Sequence, residues 1–239
     1  MKKKILLTGF TGGIGSEIIR ILSNDYIFIN LARKITNSEI NPLNSHYNLD
    51  FNSIEQLEKV IDTILIDHGN IDGIIHTAGN DFLSPLSYTN EIKMKDLFNI
   101  HVFFTISLIS LAMRKKLLKS NSSIILFSSL SAHKASPGHG VYASAKGALE
   151  GFLPTASNEL SKKSIRLNVI VPGIVKTKMA NNYLGKLSED QLNQLKNSYP
   201  FGFIEPVDIV NLVSFLLSDK SLKITGQKFI IDGGNSIFF

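Results

Sequence analysis

Short, continuous apolar runs alternate with longer amphipathic ones from end to end of this 239-residue chain, and that alternation limits the folds open to it. Residues 4–8, 26–32, 71–76, 123–127, 166–171 and 228–231 read as strands, with a weaker one at 46–49. Helical periodicity fills 13–23, 54–68, 93–119, 142–161, 190–198 and 207–217. Strands that are apolar on both sides need cover on both faces, which a parallel sheet obtains from its crossover helices. The order predicts an α/β, doubly wound parallel sheet in a single domain spanning 1–239. At that length, with 44% hydrophobic residues, the chain can bury a full core.

Other properties narrow the classes. There is no cysteine, so disulfides, thiolate metal sites and a cysteine nucleophile are excluded, which fits a reducing cytoplasm; no metal site is expected. The apolar stretch after MKKK is too short for a signal-peptide core and reads as the first strand. The longest apolar stretch, 102–113, is interrupted by Thr105, Ser107 and Ser110. It falls short of the roughly 20 residues of a membrane span and predicts a buried helix. The net charge of +5 is dispersed, so neither nucleic acid nor membrane is an expected partner.

Between the first strand and the first helix stands TGFTGGIG, residues 8–15. Glycines there let the backbone approach a phosphate, and a helix N-terminus favours negative charge. Gly9, Thr11, Gly13, Ile14 and Gly15 are therefore candidates to hold a dinucleotide pyrophosphate. At the end of the second strand an acidic residue would bond ribose hydroxyls; this chain has Ala32, then Arg33 and Lys34. A guanidinium grips a 2′-phosphate in fork geometry, which favours NADP(H) over NAD(H).

Tyr142 and Lys146, in YASAK, lie at i and i+4 on one helical face. An ammonium so placed can stabilise phenolate and lower the phenol pKa, making Tyr142 a general acid. Ser128 and Ser129 end a strand whose C-terminal end opens on the ligand crevice of a doubly wound sheet, and either hydroxyl can bond a substrate carbonyl beside Tyr142.

In order and spacing these features resemble the short-chain dehydrogenase/reductase family over nearly the whole chain, and within it the 3-oxoacyl-[acyl-carrier-protein] reductases. The G-x3-G-x-G spacing of Gly9, Gly13 and Gly15 matches that family and not the G-x-G-x-x-G of larger dinucleotide binders. The resemblance implies a Rossmann-type, seven-stranded parallel sheet flanked by helices on both faces. It selects Ser129, thirteen residues before Tyr142, over Ser128. It adds Asn99, in LFNIH, as a fourth catalytic residue supporting a water-linked proton path to Lys146. It implies that Tyr142 and Lys146 also meet the cofactor, and that Ala78 and Gly79 admit its ribose. Pro172, Gly173, Ile174 and Thr177 would close over the nicotinamide. Asp50 would meet the adenine amino group, or else cap the helix that begins near 53.

The chain also departs from the family. HTAG (76–79) stands where NNAG is usual, with His76 readable as a core histidine or a ligand; Gly12 stands where NADP binders often carry a basic residue. PFGFIEP (200–206) lacks the arginine of the PLGRxGEP seen in 3-oxoacyl reductases. By the family layout, 179–203 is a flap over the substrate, Lys119, Lys162 and Lys163 sit near the mouth where an acidic carrier could dock, and His133, Lys134 and His139 form the rim. Pro154 should kink its helix. The apolar circumference of 93–119 predicts a homodimer or homotetramer. The implied activity is NAD(P)H-dependent reduction of a small-molecule carbonyl, a 3-oxoacyl thioester or related ketone, possible also on a carrier. Two alternatives stay open: a reductase, epimerase or dehydratase acting on a keto-sugar or nucleotide sugar, and a non-catalytic NADPH-binding regulatory module.

Overall fold

The computed structural model describes residues 2–33, 44–134 and 137–237. In chain order the elements are β1 (Lys3–Thr8), α1 (Gly13–Leu22), β2 (Tyr26–Ala32), β3 (Ser45–Asn48), α2 (Ile54–His68), β4 (Ile71–His76), α3 (Glu91–Phe98) and α4 (Phe104–Arg114). They continue with β5 (Leu118–Phe127), α5 (Gly140–Ser161), β6 (Arg166–Pro172), α6 (Lys178–Leu184), α7 (Glu189–Asn197), α8 (Pro206–Leu217) and β7 (Lys228–Ile231). The strands form one seven-stranded sheet in the order β3-β2-β1-β4-β5-β6-β7, every pair parallel.

Continuous apolar strands supply both faces of this sheet. Leu6, Ile74 and Ile124 point to one core, closed by Leu57 of α2, Leu108 of α4 and Leu153 of α5. Their neighbours Ile5, Ile75 and Ile125 point to the other, closed by Ile18 of α1 and Val213 of α8. The strand order reverses at β1 and β4, and the crevice of such a sheet opens there, at the C-terminal strand ends.

The predicted helix 93–119 is not one element. α3 passes through a π-helical turn, Asn99–Phe103, into α4, which ends at Arg114. Lys116 then takes φ 53, and Leu118 and Lys119 begin β5. Apolar residues continue across that boundary, so periodicity could not find it. Among the described residues, 91–114 is the one helical run long and apolar enough to cross a bilayer, and over half of it is buried within the protein. α5 runs from Gly140 to Ser161 with Pro154 inside it. The segment 179–203 carries α6, capped by Thr177 Oγ1 accepting from Ala180 N–H at 3.3 Å, and α7, closed by a Ser188–Gln191 capping box.

Candidate active site

The glycine turn is a cradle that excludes side chains. Gly9 sits at φ +75, and a Cβ there would lie 2.5 Å from the Ala78 nitrogen; one on Gly15 would lie 2.3 Å from the Gly9 carbonyl oxygen. A Cβ on Gly13 would meet Thr177 Cγ2 at 2.5 Å, so the loop after β6 lies directly over the glycine turn. In front of the cradle is a cavity of about 1010 Å³, walled by Gly9, Thr11, Gly12, Gly13, Ile14 and Gly15, with Ala32 and Arg33 at the end of β2. Ala78, Gly79 and Thr177 form the opposite wall. A cavity of this size, with glycine at residues 12, 13 and 15 along one helix N-terminus and an exposed guanidinium at its end, fits a phosphorylated dinucleotide. Asp50 is outside the wall: its Oδ1 accepts from Asn52 N–H at 3.0 Å, while Phe51 lines the cavity and Ser53, not Asp50, caps α2. Lys34 lies outside the described residues.

The HTAG segment ties β4 to β1. His76 Nδ1 and the Thr8 hydroxyl are 2.7 Å apart, Thr77 Oγ1 donates to the Thr8 carbonyl at 2.7 Å, and Ala78 N–H donates to Thr8 Oγ1 at 3.3 Å. Burial, with the charge of Lys146 nearby, pulls His76 down to about 3, so the imidazole is neutral. His76 is thus a core histidine bracing the sheet.

A second cavity, about 390 Å³, adjoins the first and holds Ser129, Tyr142, Pro172, Gly173, Ile174 and Thr177. Tyr142 opens on it from the first turn of α5, in the same wall as Ser129. Ser128 is turned away: its Oγ donates to Glu150 Oε1 at 2.6 Å, and the residue is buried. Lys146 lies under the tyrosine, Nζ 5.6 Å from the ring centre, and donates to the Phe127 carbonyl at 2.8 Å. Burial lowers Lys146 to about 7. Contrary to the expectation from the helical spacing, Tyr142 is pushed up, by burial first and by the Asp81 carboxylate second, with the nearby Ser129 hydroxyl opposing. The ammonium does not prevail because it is itself desolvated and bonded to a carbonyl.

Asn99 opens the π-turn, its carbonyl accepting from Phe104 N–H. Two residues on, His101 is buried, donates from Nε2 to the Asn80 carbonyl at 2.8 Å and meets the Tyr142 ring edge-on at 5.6 Å. A Cβ on Gly79 would strike the His101 ring at 2.3 Å. Sequence reasoning missed His101; the available signal was a histidine within the apolar run that follows Asn99. It also missed Tyr199, whose hydroxyl accepts from Ile174 N–H at 3.2 Å, while the Ile174 carbonyl accepts from Ile204 N–H at 2.9 Å. Both backbone groups of Ile174 are therefore engaged within the chain.

The rim differs from expectation. Lys134 and His139 line the second cavity, whereas His133 does not and pairs with Glu150 at 2.9 Å. Lys119, Lys162 and Lys163 are not at the mouth. Lys119 bonds Asp72 at 2.9 Å near the N-terminal ends of β5 and β4, and Lys162 closes the far end of α5 from Tyr142. α5 runs against the strands, and its 22 residues separate the two ends by about 33 Å.

The sequence profile of the enoyl-(acyl carrier protein) reductase family matches residues 27–236. A diacetyl reductase [(S)-acetoin forming] of Staphylococcus epidermidis is 31% identical, with 98% of each chain covered. A 3-oxoacyl-[acyl-carrier-protein] reductase of Thermotoga maritima is 27% identical over 97% of each. The solved structure of a short chain dehydrogenase family protein from Francisella tularensis superposes at TM-score 0.89, with 26% identity over 99% of this chain and 100% of that one. The chain belongs to the short-chain dehydrogenase/reductase family. Its relatives make it an oxidoreductase of the 3-oxoacyl-reductase-like branch, a family that uses a nicotinamide cofactor.

Proposed function

We propose that this short-chain dehydrogenase/reductase is an NADP(H)-preferring carbonyl reductase acting on a 3-oxoacyl thioester or a related ketone. The observation that carries the reading is Tyr142 and Ser129 together in the wall of one cavity, beside a glycine cradle that opens on the other. A nicotinamide held there would supply hydride to the carbonyl carbon. Ser129 Oγ orients the substrate oxygen, and Tyr142, kept protonated by burial and by Asp81, delivers the proton to it. Lys146 supplies positive charge beneath the ring and Asn99 supports its proton exchange; both are assigned by family resemblance.

Arg33, with uncharged Ala32 before it, supports NADPH over NADH. Gly9, Thr11, Gly13, Ile14 and Gly15 would take the pyrophosphate, Ala78 and Gly79 the ribose, and Pro172, Gly173, Ile174 and Thr177 the nicotinamide end. Asp50 would need to turn from Asn52 to meet adenine. Exposed Ile92, Phe103 and Ile106 beside the π-turn support a homodimer or homotetramer, which sedimentation would report as a multiple of 26.4 kDa.

Initial rates of NADPH absorbance loss with acetoacetyl thioester and with simple ketones test this reading. Turnover is expected, and Arg33→Ala should lower the NADPH:NADH ratio of kcat/KM by about tenfold or more, the worth of a charge-assisted hydrogen bond. Binding of NADPH without turnover of any carbonyl would overturn the reading in favour of a regulatory module.

A further inference from the structure

Glu150 takes no part in the chemistry above, yet its side chain is only 8% exposed. It lies on the face of α5 that carries Lys146 one turn earlier and Tyr142 two turns earlier. Three segments converge on its carboxylate. Ser128 Oγ, just past the end of β5, donates to Oε1 at 2.6 Å, His133 Nε2 reaches the same oxygen at 2.9 Å, and Lys228 Nζ of β7 donates to Oε2 at 3.0 Å. An ionised carboxylate only accepts, so the His133 nitrogen turns its proton toward it. Burial would raise this carboxyl, but the bonds from Ser128 and Lys228, with His133 beside them, hold it below the usual carboxylate range.

Ser128 and His133 stand on either side of the catalytic serine. Ser128 N–H donates to the Ile170 carbonyl at 2.9 Å and so continues the β5–β6 ladder. Ser129 is extended, at φ −158 and ψ 149, and in extended chain successive side chains point to opposite faces. With Ser128 drawn to α5, Ser129 is turned into the wall of the second cavity. The chain then makes the short turn Leu130–Ala132, and His133 N–H donates to the Leu130 carbonyl at 2.9 Å. Ser129 Oγ accepts from Ser131 N–H at 3.2 Å, which leaves its own proton for an oxygen in the cavity. The Ser128 hydroxyl has one proton, and it goes to the carboxylate at 2.6 Å rather than to the Lys146 carbonyl at 3.3 Å. The tie between this serine and α5 therefore runs through Glu150. We propose that Glu150 is a positioning residue for Ser129: from the helix that carries Tyr142 and Lys146 it grips the chain on both sides of the serine, and so sets the serine hydroxyl against the tyrosine. The proposal rests on the reductase reading above and deepens it.

The test compares kcat and KM, on whichever carbonyl compound is turned over fastest, for the wild type, Glu150→Ala, Glu150→Gln and Ser128→Ala, with NADPH affinity measured by fluorescence titration. Glu150→Ala should lower kcat about ten- to a hundredfold, the loss a misplaced catalytic group causes, while NADPH affinity stays within about twofold. Glu150→Gln, whose amide oxygen still accepts from Ser128, should keep kcat within about threefold of the wild type. Ser128→Ala leaves the carboxylate on His133 and Lys228 and should lower kcat in the same direction, which carries the test if Glu150→Ala does not fold. In a Ser129→Ala background there is no hydroxyl to position, and Glu150→Ala should change the remaining rate by less than about twofold. An equal loss with and without the Ser129 hydroxyl, NADPH affinity lost in parallel, Glu150→Gln as slow as Glu150→Ala, or wild-type kcat in folded Glu150→Ala or Ser128→Ala would overturn the proposal while leaving the reductase intact. Absence of turnover on every carbonyl by wild-type protein that binds NADPH would remove the reductase reading, and this inference with it.

Discussion

Lys146 shows how a catalytic group works against the fold that holds it. Burial lowers it from 10.5 to about 7, and its ammonium donates to a backbone carbonyl, that of Phe127. Between about 7 and 10.5 the folded protein binds fewer protons at this site than the unfolded chain, so the contribution of Lys146 to stability rises with pH across that window and its cost is greatest below about 7. Lys146→Met should therefore abolish turnover yet raise the thermal midpoint near pH 6.5, by roughly 2–4 °C for each kcal/mol recovered. An unchanged or lower midpoint would show that burial of the charge is already compensated. The histidines nearby run in the same pH direction. His76 and His101, held neutral at about 3 and about 2, are uncharged in the folded protein where the unfolded chain would take up protons. Each withdraws stability as the pH falls below about 6.5, approaching 1.4 kcal/mol per unit.

The π-turn joining α3 to α4 decides what the catalytic elements can be. It sets His101 over Gly79, where the imidazole fills the space a Cβ would need. Gly79→Ala should cost at least about 1–3 kcal/mol of stability, as overpacking does. Because His101 abuts Tyr142, it should also lower kcat more than it raises the Km for NADPH, which steady-state kinetics would separate. A variant of full activity and unchanged midpoint would contradict that account. The same region marks the limit of what sequence conveys. β2, β4, β7 and α2 lie where their apolar runs and caps place them, because each is specified locally. The π-turn, the start of β5 and the first helix of the flap depend on contacts from elsewhere: His101 on Gly79, Leu118 beside Ile71, and Thr177, which caps α6, over the glycine turn. In the site, the glycine turn and the tyrosine–lysine pair were legible by spacing. Glu150 and Tyr199 were not, since each matters through a partner distant in sequence: Ser128 and Ile174.

Across the whole molecule, the reversal of strand order between β1 and β4 gathers these groups at one edge of the sheet, with the glycine cradle and the tyrosine wall on adjoining cavities. The lysines once expected to receive a carrier are at the other edge, so any carrier-bound substrate must be recognised by different residues. The account stands or falls on hydride passing to a carbonyl carbon under the control of Tyr142. The most direct measurement is mass spectrometry of the alcohol formed from an unlabelled ketone with NADPH carrying deuterium at C4 of the nicotinamide, both C4 positions being labelled. One deuterium at the carbinol carbon, with product formation reduced at least about a hundredfold in Tyr142→Phe, is the predicted result. Product without deuterium, or equal labelled product from Tyr142→Phe, would contradict it.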